Sequence, residues 1–264
     1  MSRSVGLAVA FGALGALAAG GSARADTYQE NSYTVPNGTN VAVTDTQLSI
    51  SSENGEAGGV VMSITDTTKG TTSLMTVWCS DISNYLATSG TYSLDTLSSD
   101  IGLSSYPALT SVTGTTKVNQ VNALLNAMAS GLISPINAVT SAALQAAIWE
   151  VIYNTGTSGY DVTTGNFYIG PDGDTIGPDT TPGTLEYDAN LYLSYVENGT
   201  WLPNASDTVE QLQPSNPLNN QTMIYLANGG GQGQGTSVPE PGSLALLATG
   251  LAGFAALRRR RTRA

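Results

Sequence analysis

The chain has 264 residues, with 20 acidic side chains, nine Lys plus Arg, and no histidine. Without histidine there is no Ser-His-Asp or Cys-His catalysis, and an ordinary zinc site is disfavoured. The net charge of −11 sets the surface against nucleic acid phosphates and anionic lipids, so no nucleic-acid partner is expected.

The first element is a delivery signal. Arg3 supplies a positive n-region, Val5 to Ala19 an apolar h-region, and Ala23-Arg24-Ala25 a small-x-small cleavage site. Residues 1–25 therefore read as a secretory signal peptide, and the mature chain should begin near Asp26. Beyond it the charge is strongly one-sided. Residues 26–237 hold 19 acidic side chains against Lys69 and Lys117 alone, a net charge of −17. Such a surface suits an extracellular body, placed at residues 26–228. Its abundance of Ser, Thr, Gly and Asn favours strands joined by long turns.

Residues 27–113 read as strands. Val41-Ala42-Val43, Leu48-Ser49-Ile50 and Gly59 to Ile64 are short runs separated by Asn-Gly and Gly-rich turns. Leu74 to Cys79 alternates, with Met75, Val77 and Cys79 on one face and Leu74, Thr76 and Trp78 on the other. Helical spacing then takes over. Val121, Leu124, Leu125, Met128 and Leu132 mark a helix within 118–132. Pro135, with Ser134 as its candidate cap, opens a second helix over 136–153. That helix is apolar nearly all round and so is expected to be buried. A loop rich in Gly, Pro, Asp and Thr spans 155–183 and contains the near-repeat Ile169-Gly170-Pro171-Asp172 and Ile176-Gly177-Pro178-Asp179. Leu185 to Val196 reads as a third helix and Gln221 to Ala227 as a last strand. Residues 229–237 form a Gly/Gln-rich linker. The pattern implies an α+β protein: a β-rich sandwich or barrel body with a helical insertion at about 118–153, flanked by the signal peptide and a C-terminal anchor helix.

The tail, 238–264, has three parts. Val238-Pro239-Glu240-Pro241-Gly242 comes first, then an apolar run of 14 residues from Leu244 to Leu257, then Arg258-Arg259-Arg260-Arg261. The apolar run spans roughly 21 Å as a helix, short of a ~30 Å hydrocarbon core unless flanking residues help. The arginines would stay cytoplasmic and act as a stop-transfer cluster. These parts, in this order, resemble the PEP-CTERM sorting signal of exported Gram-negative proteins. The resemblance implies processing by an exosortase near Pro239-Glu240-Pro241. It also implies transient anchoring in the inner membrane, delivery to the cell surface or extracellular matrix, and association with bacteria that make exopolysaccharide, biofilm or floc. A plain C-terminal membrane anchor is the alternative.

Two residues point to chemistry. Cys79 is the one cysteine, so no intramolecular disulfide can form, and a free thiol outside the cytosol calls for a reason. Gln145 is the odd polar residue in the apolar helix, and a buried carboxamide without partners costs about 1–3 kcal/mol. One reaction accounts for both. The Cys79 sulfur attacks the Gln145 carboxamide, expels ammonia, and leaves a thioester that an amine can open. Holding sulfur and carbon together on a strand end and a helix is worth an effective molarity of about 10⁵–10⁸ M. Trp149, one helical turn from Gln145, and Trp78, beside Cys79, are the candidate shields against water.

Trp78-Cys79 and Gln145-Ala146-Ala147-Ile148-Trp149 resemble the TQXA-type thioester domains of bacterial surface adhesins, over roughly residues 70–155. Leu144 departs from the pattern, since that family usually has Thr there. The resemblance implies covalent attachment to an amine-bearing surface target, an act of linkage and not of enzyme turnover. Other readings stay open. Cys79 could be a small core side chain, with Gln145 bonded to backbone, or it could make an intermolecular disulfide. The body could be a structural or carbohydrate-binding matrix module, or a secreted hydrolase with paired carboxylates. Asp172 and Asp174, with Asp179 nearby, offer oxygen ligands for calcium but lack a bidentate Glu at the twelfth loop position. A solvated acidic turn competes with that site, and no cofactor is expected.

Overall fold

The computed structural model describes residues 26–96, 115–155, 159–171, 180–216 and 220–227. It contains nine described strands: β1 (Thr27–Thr34), β2 (Thr39–Asp45), β3 (Ile50–Ala57), β4 (Val60–Asp66), β5 (Thr71–Cys79), β6 (Thr91–Thr96), β7 (Phe167–Pro171), β8 (Val209–Pro214) and β9 (Met223–Leu226). Three helices join them: α1 (Thr115–Ala129), α2 (Ala138–Tyr153) and α3 (Leu185–Glu197). Six strands close a barrel in the order β1-β4-β5-β9-β8-β6, and a second sheet runs β3-β2-β7. Every described pairing is antiparallel. The body is thus β-rich with helices inserted between its strands, as the periodicities imply.

The barrel follows from alternation. Along β4, Val60, Met62 and Ile64 are buried while Val61, Ser63 and Thr65 are partly open. β5 is exposed over Thr71–Leu74 and buried only over Val77-Trp78-Cys79. The buried end is where β9 joins it, pairing Trp78 with Ile224 and Cys79 with Met223.

Helix α2 is the element on which the rest converges. It packs against α1, α3, the β3-β2-β7 sheet and β5 of the barrel. Every residue from Ser141 to Tyr153 is buried, which is why its sequence is apolar on all sides. Its start differs from the expected Ser134 cap. The Ser134-Pro135 peptide is cis and lies before the helix, and Asn137 is the cap. Asn137 Oδ1 accepts the N–H groups of Val139 (2.9 Å) and Thr140 (3.1 Å), while Thr140 Oγ1 accepts the Asn137 N–H (2.9 Å). This reciprocal capping box satisfies donors that Ser134, three residues too early, cannot reach. Gly58 lets the chain approach α2 closely, since a Cβ there would lie 3.2 Å from Ser141 Oγ, and Gly59 makes room for Trp78. A Cβ on Gly58 would lie 2.9 Å from the Asn37 carbonyl, and one on Gly59 would lie 3.1 Å from the Trp78 ring. The Gly59 N–H donates to Ser141 Oγ at 2.9 Å.

Three local expectations are corrected. Leu48-Ser49-Ile50 is not one strand: Asp45 Oδ1 accepts the N–H groups of Gln47 and Leu48, Ser49 takes a φ of 59°, and β3 begins at Ile50. Asn54-Gly55 is not a turn but lies inside β3, opposite Ala42 and Val41. The loop expected over 155–183 contains β7, whose Phe167 and Ile169 are fully buried and which pairs with β2. Here tertiary pairing overrides local turn chemistry. Strand β8 lies in a stretch that carries no readable alternation.

The C-terminal end of α2 gathers a buried carboxyl, Glu150, and the half-buried Lys117 of α1. Lys117 Nζ donates to the Ile152 and Asn154 carbonyls, at 3.1 and 2.6 Å, placing a cation where the helix dipole favours one. Glu150 accepts from Asn154 Nδ2 and from the Asp161 N–H (2.9 Å), and its Oε2 is buried without a partner. Burial pushes Glu150 up to about 7, while burial pulls Lys117 down to about 8. The raised carboxyl gives stability that is full below its usual 4.5 and is lost as pH climbs through about 7. The depressed lysine gives stability that is full above its usual 10.5 and is lost as pH falls through about 8. The Tm, followed by circular dichroism across pH, should therefore pass through a minimum between about 7 and 8. Glu30, Asp45 and Asp81, also raised by burial, deepen the fall on its acid side. Glu150→Gln should flatten that fall, and a variant with an unchanged profile would refute the assignment.

Candidate functional site

Strand β4 begins at Val60, opposite Val77, so no β4 residue stands opposite Cys79. The side chain of Gln145 takes that place. The Cys79 N–H donates to Gln145 Oε1 at 2.9 Å, and Gln145 Nε2 donates to the Cys79 carbonyl at 2.8 Å. Gln145 is 1 % exposed and Cys79 is 5 % exposed, so both bonds are dry. A carboxamide bonded to the N–H and C=O of a single residue faces that residue with its own Cδ. The Gln145 carboxamide and the backbone of Cys79 are thus in direct contact across the ladder.

The segment after Cys79 is fixed in detail. Cys79 Sγ donates to the Asp81 carbonyl at 2.8 Å, and Gln221 Nε2 donates to the same oxygen at 3.1 Å. The Ser80 N–H and Oγ both donate to the Thr222 carbonyl, at 3.0 and 3.1 Å. The Tyr153 hydroxyl donates to the Ser80 carbonyl (3.0 Å) and accepts the Ile82 N–H (3.2 Å). The Asp81 carboxyl accepts from the Ser83 N–H (2.8 Å) and Asn84 Nδ2 (2.7 Å). Burial raises the Asp81 carboxyl, and these hydrogen bonds oppose the rise. Burial, then the neighbouring Asp81 carboxyl, pushes the Cys79 thiol far above its usual range, so the resting group is a thiol.

Cys79 and Gln145 open onto a cavity of about 430 Å³. Trp149 lines it, and Tyr33, Glu53, Glu56 and Tyr85 stand on its other walls. Tyr85 is 70 % exposed and its hydroxyl donates to Glu53 Oε2 at 3.1 Å, spanning two walls. Trp149 packs edge-on against Phe167, with centroids 6.5 Å apart. Trp78 is placed differently from Trp149. It is buried beside Gly59, and of the two candidate shields only Trp149 lines the cavity.

Sequence reasoning missed Asp81, Tyr153, Gln221 and Thr222. One signal was available: Gln145, Trp149 and Tyr153 recur every four residues and so share one face of α2. The partners from β9 and the segment before it lie about 140 residues from Cys79, beyond any local pattern. The weak calcium candidates Asp172, Asp174 and Asp179 lie outside the described residues, as do Val238, Pro239, Glu240, Pro241 and Arg258 to Arg261. Among the described residues no cluster of three or more acidic or sulfur side chains is arranged to hold a metal.

Residues 237–261 match the model of the PEP-CTERM protein-sorting motif. The chain therefore carries a PEP-CTERM sorting signal. The signal marks the chain as an exported protein with a C-terminal anchoring signal; no helix among the described residues is long and apolar enough to cross a membrane. No curated protein matches the chain in sequence. Among solved structures, it is similar to the N-terminal thioester domain of a surface protein from Clostridium perfringens, at 11 % identity and TM-score 0.38 over 71 % of this chain and 98 % of that one. It is also similar to the N-terminal domain of the Streptococcus pyogenes pilus tip adhesin Cpa, at 13 % identity and TM-score 0.37, over 73 % and 98 % of the two chains. The thioester domain of the fibronectin-binding protein SfbI from Streptococcus pyogenes gives 14 % identity and TM-score 0.38, over 72 % and 98 %. At such identities the chemistry of this chain has to be read from its own residues.

Tyr153→Phe removes one hydroxyl and leaves the Ile82 N–H and the Ser80 carbonyl without their partner. The loss should be about 1–3 kcal/mol in urea unfolding, with the fold retained. A loss within experimental error would show that Tyr153 does not fix the segment after Cys79.

Proposed function

We propose that this exported protein joins covalently to amine-bearing targets at the cell surface or in the matrix, through an internal thioester between Cys79 and Gln145. The observation that carries the reading is the two-point pairing of the Gln145 carboxamide with the Cys79 backbone at the floor of an open cavity. The Cys79 N–H on Gln145 Oε1 polarises the carbonyl that the sulfur attacks. In formation, Sγ bonds to Cδ and the Cδ–Nε2 bond breaks, so ammonia leaves with the thiol proton. In opening, a primary amine bonds to Cδ, the C–S bond breaks, and the amine proton passes to sulfur. The product is a stable amide and a free thiol, so each molecule acts once, as a linker and not as an enzyme.

The placement of charge supports this reading. Glu53 and Glu56 at the mouth attract a cationic alkylamine such as a lysine side chain. The body has almost no amine of its own to consume the acyl group. Lys69 is paired with Asp66 and Asp26, at 3.0 and 3.4 Å, and Lys117 is held by the end of α2. The tail supplies a second, separate attachment step: processing by exosortase at Pro239-Glu240-Pro241, in a cell that makes exopolysaccharide or biofilm.

A second reading is a non-covalent structural or carbohydrate-binding matrix module. It draws on the same pair, since a carboxamide satisfied at a strand end already has a complete structural role. Intact mass separates the two. The exported protein should be lighter than its processed sequence by one ammonia, and methylamine should bring the mass up by one methylamine. Cys79→Ala and Gln145→Ala should each abolish both changes. An unshifted mass together with free alkylation of Cys79 would leave only the non-covalent module. Glu53→Gln/Glu56→Gln should slow opening by cadaverine about 2- to 10-fold at low salt and leave opening by neutral hydroxylamine unchanged. Equal slowing of both nucleophiles would show that the rim acts on structure and not on charge.

A further inference from the structure

Trp149 carries a polar atom that the fold leaves unused. The side chain is 5 % exposed, and its Nε1–H is buried without a hydrogen-bond partner. A buried orphan donor costs about 1–3 kcal/mol, so in a folded protein it needs a cause. The indole is held by its edge-on contact with Phe167, on the cavity wall that also carries Cys79 and Gln145. Its N–H lies near enough to the Cys79 sulfur to pull the thiol acidity in the favourable direction, although no bond of regular geometry forms at rest.

The groups around the sulfur show what is lacking. In the resting thiol, S–H donates to the Asp81 carbonyl. Once the proton leaves, that carbonyl oxygen and the Asp81 carboxyl both face a thiolate with negative ends, and neither can stabilise it. The nearby donors are engaged: Gln145 Nε2 on the Cys79 carbonyl, and Gln221 Nε2 on the Asp81 carbonyl. Ser83 Oγ, also on the cavity wall, is likewise buried without a partner, but it acts on the Asp81 carboxyl and not on the sulfur. The Trp149 N–H is the unpartnered donor on the cavity wall that acts on the sulfur.

We propose that the Trp149 indole N–H is the hydrogen-bond donor to the Cys79 thiolate, in contact with the reacting sulfur as it attacks Gln145 and again as it leaves when an amine opens the thioester. The inference rests on the thioester reading but goes beyond covering the bond against water. The electron pair of the breaking C–S bond comes to rest on sulfur, and the indole N–H meets it there until the amine proton arrives. The resting orphan is then a site organised for a charge that exists only during the reaction.

The test removes the N–H and keeps the ring. In the Gln145→Ala protein, which cannot form a thioester, Cys79 is alkylated by iodoacetamide at fixed pH with and without Trp149→Phe. Loss of the donor should slow alkylation about 3- to 10-fold, because less thiolate is present. A Trp149 that only covers the sulfur predicts the opposite sign, since the smaller ring admits more reagent, and an unchanged or faster rate overturns the proposal. Gln145→Leu provides the same background if Gln145→Ala does not fold. In the otherwise unaltered protein, Trp149→Phe should slow opening by methylamine about tenfold. An opening rate equal to that of the parent overturns the catalytic role. The alkylation arm requires no thioester, so failure of the thioester reading and failure of the donor role give different results.

Discussion

A side-chain amide completing a β-ladder is the interaction on which this structure turns. Cys79 lies two residues past Val77, the partner of the first residue of β4, at a place where a barrel strand still has an N–H and a C=O to satisfy. Gln145 supplies both partners from a helix 66 residues away. The bond therefore closes an edge of the barrel, locks α2 to β5, and sets an amide carbon against a thiol-bearing residue. Structural need and chemical opportunity coincide at one contact, and each buried unpaired group would otherwise cost about 1–3 kcal/mol.

The other features of α2 follow from having to deliver that contact. Its core position demands apolar residues on every side, which removes the usual polar stripe. Only positions with a built partner can be polar. Ser141 bonds to Gly59, Gln145 to Cys79, Tyr153 to the segment after Cys79, and Glu150 to Asn154 and Asp161. The Asn137 capping box fixes where the helix begins, and Lys117 secures where it ends. Between those ends Gln145, Trp149 and Tyr153 form one face, four residues apart, directed at the same strand end. Glu53 and Glu56 stand among the residues that line the cavity, while both lysines of the body are spent on local contacts.

The helices were legible because helical periodicity is local: α1, α2 and α3 all appear within a few residues of the places their apolar spacing marks. β4 and the buried end of β5 were legible for the same reason. β3 was not, because its polar run Ile50–Ala57 gains its strand state from pairing with β2 and exposes most of its side chains. β7 was hidden in a segment whose Gly and Pro content spells a loop, and β8 among Glu and Gln residues that gain their strand state from distant β6 on one side and from β9 on the other. The pairing of Cys79 with Gln145 could be named in advance because each was anomalous for its place: an unpaired thiol beyond the cytosol, and an amide in an apolar helix. Trp78 and Trp149 looked equivalent beside them, and only strand alternation in three dimensions separates the one under Gly59 from the one on the cavity.

The sequence by itself determined the destination and the ingredients. A sorting tail, an acidic body without histidine, a lone Cys and a Gln within an apolar helix are properties of residues in order, and order is enough to read them. The tertiary structure alone decided the geometry. It placed the amide on the backbone of Cys79, set the Asp81 carbonyl and Trp149 N–H beside the sulfur, and left Glu53 and Glu56 at the mouth. The amide pairing joins residues 66 positions apart, and no periodicity along a chain encodes which strand end meets which helix face.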